Sequence, residues 1–321
     1  MIGSHHIIVE TKKIKYEFEI KRNITVIRGD SATGKTTLID LLSQFARFQG
    51  RTGVKVESDV PCVVYSDGLI AWQEAIKSVS DSILFIDEDY GFIKTKEFAS
   101  VIKNTTNYYV LITRDYLKCL PYSVNEVYGI RNSGKYNFPQ RVYNEFYPLY
   151  DDVENKKISA KCLIVEDSKS GYQFYSVAVP DISCISADGN SNIYKKILSL
   201  DTKDGCYVIA DGAAFGAFID KILQLRDMGY KIGLILPESF EWFILKSKVV
   251  DINDLQKILE TPEDYIDSRI YFSWERFFTE LLEKGTSGSI AEYHKDELSQ
   301  YYLEGKNREA ILNTVKLFLE E

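Results

Sequence analysis

The chain has 321 residues, of which 45% are hydrophobic, and it carries a formal net charge of −8. This length suits two domains of ordinary size, and 27% charged with 13% aromatic residues excludes a chain that is disordered throughout. The acidic balance gives no general attraction to nucleic acid. No apolar run approaches the ~18 residues that a membrane span needs, so we expect no membrane partner.

The five cysteines are widely spaced and include no C-x-x-C pair. Nothing at the start of the chain resembles a signal peptide. Together these features predict reduced thiols and a cytoplasmic protein.

The chain begins with a pattern typical of a β-hairpin. Residues 7–20 alternate apolar and polar side chains around Lys12 and Lys13. The apolar, β-branched run from Ile24 to Ile27 then predicts a short buried strand. This strand leads directly into a glycine-containing turn.

That turn, GDSATGKT, matches the pattern G-x-x-x-x-G-K-[ST], and an amphipathic helix follows it to about residue 50. Glycines let such a turn curl until successive N–H groups face one anion, and the helix N-terminus adds partial positive charge. Lys35 can reach the β- and γ-phosphates, and the Thr36 hydroxyl can bind Mg²⁺. The predicted nucleotide-binding residues are Gly29, Asp30, Ser31, Ala32, Thr33, Gly34, Lys35, Thr36 and Thr37.

An acidic pair ends another predicted strand. A strand over Val60 to Tyr65 and a helix over residues 70–79 come first, and the sequence SILFIDED then covers residues 82–89. An apolar strand that is followed directly by Asp87 and Glu88 has the form of a Walker B element. Asp87 is therefore a predicted Mg²⁺ ligand, and Glu88 is predicted to polarise the attacking water. Lys35 is the second predicted catalytic residue.

Residues 7–130 resemble the compact ABC-type and AAA-type P-loop ATPases through these two motifs. After a helix over residues 94–103, a strand from Tyr108 to Thr113 precedes Arg114. In such ATPases a polar residue at this position often senses the γ-phosphate, although a surface arginine that caps the strand is an equal alternative. No L-S-G-G-Q-like motif lies between Lys35 and Asp87, so the resemblance does not extend to a nucleotide-sandwich dimer.

The sequence changes character after a further strand over Val124 to Ile130. Residues 131–159 contain turn residues, two prolines and many tyrosines, which predict a linker. We place the domain boundary near residue 155.

The second half contains four predicted strand–helix units. The strands are Lys161 to Glu166, Ile182 to Ala187, Cys206 to Asp211 and Tyr230 to Leu236. This order predicts a small parallel sheet with carboxylates at its C-terminal edge. Residues 252–321 show helical periodicity.

This order resembles the Toprim domain of topoisomerases, primases and overcoming-lysogenization-defect nucleases. Glu166 closes the first strand and Asp211 the third, but Ala213 stands where these proteins have a second aspartate. With Glu241 or Glu238 after the fourth strand, the resemblance implies an Mg²⁺ site at Glu166, Asp211 and Glu241. Ala213 argues against a two-metal site. A flavodoxin-like domain whose acidic residues cap helices is the alternative.

We therefore predict an α/β protein with three parts: a P-loop ATPase domain (1–155), a Toprim-like domain (156–250) and a helical C-terminal region (251–321). The pairing resembles the overcoming-lysogenization-defect family, which implies ATP and Mg²⁺ binding, ATP hydrolysis, and a nucleotide-controlled role in nucleic-acid processing or phage defence. The alternatives are a P-loop kinase of a small molecule and a nucleotide-switched scaffold without nuclease activity. A nucleic-acid or protein partner and a homo-oligomer both remain open.

Overall fold

A computed structural model describes residues 1–29, 33–48, 51–137, 141–151, 153, 158–201 and 204–320. The chain divides into two compact units, Met1–Leu149 with Thr261–Phe272, and Tyr150–Glu260 with Ser273–Glu321. Both combine a sheet that is parallel at its centre with helices, which confirms the α/β class. The segment 251–321, predicted as a helical region of its own, is divided between the two units.

The first unit is built on a nine-stranded sheet. Its strands are β1 (His5–Glu10), β2 (Ile14–Ile20), β3 (Ile24–Ile27), β4 (Lys55–Glu57), β5 (Cys62–Val64), β6 (Ile83–Ile86), β7 (Tyr108–Ile112), β8 (Val127–Asn137) and β9 (Arg141–Pro148). Their order across the sheet is β4-β1-β2-β9-β8-β3-β7-β6-β5. The predicted β1–β2 hairpin is confirmed. Strands β8, β3, β7, β6 and β5 are parallel, so their C-terminal ends share one edge.

Three α-helices accompany this sheet in the described residues: α1 (Lys35–Phe48), α2 (Trp72–Lys77) and α3 (Lys96–Ile102). Helix α1 follows β3 almost directly, as the sequence predicts. Leu41 and Leu42 lie three and four positions after Leu38, so both share a face of the helix with it. This face is buried in a core that includes Ile7 and Phe85 from the sheet. The burial fixes the direction in which α1 leaves β3.

The prediction of a linker over residues 131–159 is wrong for residues 131–137, which belong to strand β8, and for residues 141–148, which form strand β9. These strands pair with each other, and β9 also pairs in parallel with β2. The glycine, proline and asparagine residues of this segment indicate turns locally. Pairing with the distant strand β2 outweighs that local preference, because it satisfies the backbone groups of β9. Residues 138–140 lie outside the described part of the chain.

The second unit contains a four-stranded parallel sheet. Its strands are β10 (Ala160–Val165), β11 (Ser183–Ser186), β12 (Gly205–Ile209) and β13 (Ile232–Ile235). Its helices are α4 (Ser170–Ala178), α5 (Asn190–Leu198), α6 (Ile219–Asp227), α7 (Phe240–Lys246), α8 (Leu255–Glu260), α9 (Trp274–Thr286), α10 (Gln300–Leu303) and α11 (Gly305–Glu320). The four strands lie where the sequence predicts them.

The strand order β11-β10-β12-β13 reverses direction at β10. The chain first moves from β10 to β11 on one side, and then crosses to β12 on the other. The loops that follow β10 and β12 therefore leave in opposite directions and open a crevice at the C-terminal edge. All four second-half strands are short. Strands β10, β12 and β13 are mostly apolar and buried, as expected for strands covered on both faces, whereas the edge strand β11 begins and ends with serine and is partly exposed.

Gly212 lies at this edge, where the chain after β12 passes close to the chain after β13. Its N–H donates to the Pro237 carbonyl oxygen at 2.6 Å. A Cβ added at Gly212 would come closer than 3.0 Å to the carbonyl oxygens of Leu236 and Pro237. Only glycine fits here without a backbone shift.

We expect Gly212→Ala to lower the free energy of unfolding by about 1–3 kcal/mol, because backbone on both sides must move apart. Urea unfolding measures the change. Gly91→Ala is the matched control, since nothing lies within 4 Å of a Cβ added there. Equal unfolding midpoints for the two variants would contradict the close approach.

Candidate functional site

The turn between β3 and α1 has the backbone shape that its glycines allow. Gly29 has φ of 137° and Gly34 has φ of 95°, both in the region that side chains other than glycine rarely adopt. All four residues of β3 are buried, so the turn starts from a fixed strand. The predicted binding residues Asp30, Ser31 and Ala32 lie outside the described part of the chain.

The ammonium of Lys35 lies inside this turn. Its Nζ donates to the Gly29 carbonyl oxygen at 2.7 Å and to the Thr33 hydroxyl at 3.1 Å. Lys35 is the first residue of α1 and is only 6% exposed. The turn and the helix start thus hold a cation where an anion could reach it, and Thr36 and Thr37 follow at the same helix end.

A buried tyrosine supports the turn from the hairpin. The Tyr16 hydroxyl, on β2, donates to the Gly34 carbonyl oxygen at 2.8 Å. Tyr16 is 1% exposed, and burial raises the pKa of its hydroxyl, although hydrogen bonds with Asn144 and Thr37 oppose the shift. The motif gave no indication of this residue. The one sequence feature that could have pointed to Tyr16 is its place at an apolar, inward-facing position of the alternating strand β2.

The predicted acidic pair follows β6, as expected. Asp87 accepts a hydrogen bond from the Glu88 backbone N–H at 2.7 Å. Burial raises the pKa of Asp87, and the neighbouring carboxylates Asp89, Glu88 and Asp40 add to the rise. A carboxylate in such surroundings is stabilised by a cation, and its hard oxygens suit Mg²⁺.

Arg114 approaches Glu88 from the neighbouring strand end. Strand β7 lies between β3 and β6, so the residues after it lie between the glycine turn and the acidic pair. Arg114 Nε and Nη2 each lie 3.3 Å from a carboxylate oxygen of Glu88. Thr113 is buried, and its hydroxyl accepts the Asp115 N–H at 3.0 Å. Arg114 is therefore an ion-pair partner of Glu88, rather than only a strand cap.

These residues share one cavity of about 300 Å³. It is lined by Thr33, Gly34, Lys35, Thr36, Thr37, Glu88 and Arg114. The volume lies at the lower end of the range of small-molecule sites. Of the predicted residues that the structure describes here, Gly29 and Asp87 do not line the cavity, but Asp87 directly precedes Glu88. The structure thus brings residues from β3–α1, β6 and β7 together around one polar space.

A second group of polar residues lies at the C-terminal edge of the second sheet. Glu166 follows β10 and Asp211 follows β12, and the Asp211 N–H donates to Glu166 Oε2 at 2.7 Å. Glu241, in the first turn of α7, is 1% exposed. The three predicted carboxylates line one small cavity of about 20 Å³, together with Asp167 and Lys295. The topological switch between β10 and β12 explains their approach.

Lys295 is the cation of this group. Its Nζ lies 2.7 Å from Glu275 Oε1 and 3.7 Å from Glu241 Oε1. The Tyr293 hydroxyl donates to Glu241 Oε1 at 2.8 Å. Burial lowers the pKa of Lys295, but Glu241, Glu275 and Asp211 outweigh it and leave the pKa above its usual value.

The sequence did not indicate Lys295, Tyr293, Asp167 or Glu275. Lys295 and Tyr293 lie in an irregular segment between α9 and α10, more than a hundred residues from Glu166. Asp167 could have been noted, because it directly follows Glu166. Its two carboxylate oxygens accept the backbone N–H groups of Gly171 and Tyr172, at the start of α4.

Three acidic residues of this group, Glu166, Asp211 and Glu241, are the predicted Mg²⁺ ligands of the second unit. In the described part of the chain, no group of three or more His, Cys, Asp or Glu side chains is arranged to hold a metal ion. The Mg²⁺ ligands Glu166, Asp211 and Glu241 remain a prediction.

Neither a protein-family model nor a curated protein sequence matches this chain. Within the described residues, every helix is too short or too polar to cross a bilayer. All five cysteines are free thiols. Function must therefore be argued from the two groups of residues themselves.

Burial of Glu166 has a consequence for the pH dependence of stability. Burial raises its pKa from 4.5 to about 8; the Asp211 N–H opposes the rise, and Glu275 and Asp167 add to it. The folded protein therefore holds this proton more tightly than the unfolded chain. The resulting stabilisation is fully present below pH 4.5 and is lost as the pH rises toward about 8.

We expect the free energy of unfolding to fall across this pH range, and to fall less steeply in Glu166→Gln. Some slope should remain, because burial also raises the pKa of Asp211. Urea unfolding at several pH values measures both slopes. Glu283→Gln, an exposed change on α9, is the control and should keep the parent slope. Equal slopes in the parent and Glu166→Gln would contradict the burial argument.

Proposed function

We propose that the first unit binds a nucleoside triphosphate, with ATP as the leading candidate, and hydrolyses it with Mg²⁺. The observation that carries this proposal is the shared cavity, which combines the glycine turn and Lys35 with Glu88 and Arg114. Phosphoryl transfer depends mainly on positioning and charge stabilisation. A cation held in the glycine turn and a carboxylate that lines the same cavity fit these two requirements.

The binding part of the site is the turn itself. Its backbone N–H groups and the N-terminus of α1 would contact the phosphates, and Lys35 would exchange its contacts with Gly29 and Thr33 for phosphate oxygens. The Thr36 hydroxyl and Asp87 fit Mg²⁺ as hard oxygen donors, and the crowded carboxylates around Asp87 favour a cation there. Bound Mg²⁺ would neutralise charge on the phosphates.

Glu88 is the candidate general base. A carboxylate on the cavity wall can orient a water molecule and accept its proton. Arg114 pairs with Glu88 and lines the same cavity, so it is close enough to donate to a terminal phosphate instead. That exchange would leave the Glu88 carboxylate available to the water.

For the whole chain we propose a nucleotide-controlled factor whose second unit is Toprim-like. Nucleic-acid processing or phage defence is what the resemblance implies, with a nucleic acid or a protein as partner. A scaffold without nuclease activity is the second candidate, and it is favoured by Ala213 and by the presence of Lys295 among the carboxylates. Phosphate release from ATP alone separates hydrolysis from a small-molecule kinase, which would need an acceptor.

We expect Lys35→Ala to weaken binding of a non-hydrolysable ATP analogue by at least about tenfold, because it removes a charge-assisted donor from the turn. Isothermal titration calorimetry measures the affinity. Lys96→Ala, an exposed change at the start of α3, should bind like the parent. Unchanged affinity in Lys35→Ala would mean that the turn is not the nucleotide site.

We expect Glu88→Gln to retain nucleotide and Mg²⁺ but to slow phosphate release by about 10²–10⁴-fold, the usual effect of losing a general base. Asp87→Asn should instead weaken the binding of Mg²⁺ itself. Steady-state phosphate release and a Mg²⁺ titration distinguish the two effects, with Glu283→Gln as the control. Parent turnover in Glu88→Gln would show that another group activates the water.

A further inference from the structure

The carboxylate group of the second unit already contains a cation. Five carboxylates surround or approach the cavity, Glu166, Asp167, Asp211, Glu241 and Glu275, and the ammonium of Lys295 lies among them. Lys295 contacts Glu275 directly, and its electrostatic environment includes Asp211 and Glu241. Its ammonium therefore lies between Glu275, at 2.7 Å, and Glu241, at 3.7 Å.

Lys295 is fixed in this position by the backbone around it. Its carbonyl oxygen accepts the Ser170 N–H at 3.1 Å, at the first turn of α4. The Ser170 hydroxyl also hydrogen-bonds the Tyr293 hydroxyl at 2.7 Å. Gln173 donates to the Asp296 carbonyl oxygen at 2.9 Å and accepts the Leu298 N–H at 2.8 Å. These bonds attach the segment on both sides of Lys295 to α4.

The carboxylates have donors that compete with a metal ion. Glu166 accepts the Asp211 N–H, both oxygens of Asp167 accept N–H groups, and Glu241 accepts the Tyr293 hydroxyl. Mg²⁺ requires near-octahedral oxygen ligands at about 2.0–2.1 Å, so these bonds would have to be given up or shared. A divalent ion would also be repelled by the nearby ammonium.

We propose that the Lys295 ammonium is the resident cation of this site and takes the place of the divalent ion that the Toprim resemblance implies. The second unit is then a carboxylate–lysine network that does not bind Mg²⁺ or Mn²⁺. The absence of a second aspartate at Ala213 agrees with this, since an ammonium needs fewer ligands than a two-metal centre. The proposal is independent of nucleotide binding by the first unit.

The remaining cavity can hold a water molecule. Its volume of about 20 Å³ has room for about one water. The hydroxyl of Tyr175, which is 1% exposed and lines the cavity, has no hydrogen-bond partner among the described residues. A water there would satisfy Tyr175 and a neighbouring carboxylate.

Mn²⁺ binding without nucleotide tests the proposal directly. The Asp87→Asn protein serves as the reference, because this change removes a predicted metal ligand of the first unit. Titration followed by electron paramagnetic resonance counts the bound Mn²⁺. We expect no Glu166-dependent binding in the reference protein. One Mn²⁺ per chain that disappears when Glu166→Gln is added would overturn the proposal, because metal and ammonium would then coexist.

A second comparison tests Lys295 itself in the same reference protein. Lys295→Met keeps the length of the side chain but removes its charge and its repulsion of a metal ion, so Glu166-dependent Mn²⁺ binding, absent from the reference protein, should appear. The urea midpoint should fall without metal and recover when Mn²⁺ is added. Lys195→Met, an exposed change on α5, should change neither quantity. If Lys295→Met unfolds at the same midpoint as Lys195→Met, Lys295 does not serve as the cation.

Discussion

In a parallel sheet all strands end at one edge, and each sheet of this protein carries its polar groups there. In the first unit the edge receives the glycine turn after β3, the acidic pair after β6 and Arg114 after β7. In the second unit it receives Glu166 after β10 and Asp211 after β12. Because buried apolar strands cannot shift in register without exposing their side chains, these groups are placed by the cores beneath them.

The two units accommodate their clustered acidic residues in different ways. In the first, Glu88 has a guanidinium partner in Arg114, while Asp87 is stabilised mainly by a backbone N–H against the repulsion of its neighbours. In the second, Lys295, a tyrosine hydroxyl and backbone N–H groups share the carboxylates. Isolated buried carboxylates are costly, so each arrangement has to include its own compensation.

The structural elements that could be predicted from the sequence are those that depend on residues close together in the chain. The turn after β3, the strand before Asp87 and the four strands of the second unit are local patterns of glycine, apolar and acidic residues, and the structure contains those elements. The predicted strand over Val124 to Ile130 covers the start of β8, but the rest of β8 and all of β9 were missed. Strand β9 pairs with β2, far away in the chain, and β8 pairs with β9, so no local pattern marks them. Lys295 and Tyr16 were missed for a related reason. Each acts through a contact that only the tertiary fold creates, and neither belongs to a motif.

The bond from Tyr16 to Gly34 makes the glycine turn depend on the geometry of the hairpin. Side chains on β2 alternate between the two faces of the sheet, so Tyr16 reaches the turn only in one pairing register with β1. One residue inserted or deleted between β1 and β2 could turn its hydroxyl to the opposite face, although every residue of the GDSATGKT sequence would be unchanged. The number of residues in the hairpin loop is therefore as much a determinant of that turn as its own amino acids.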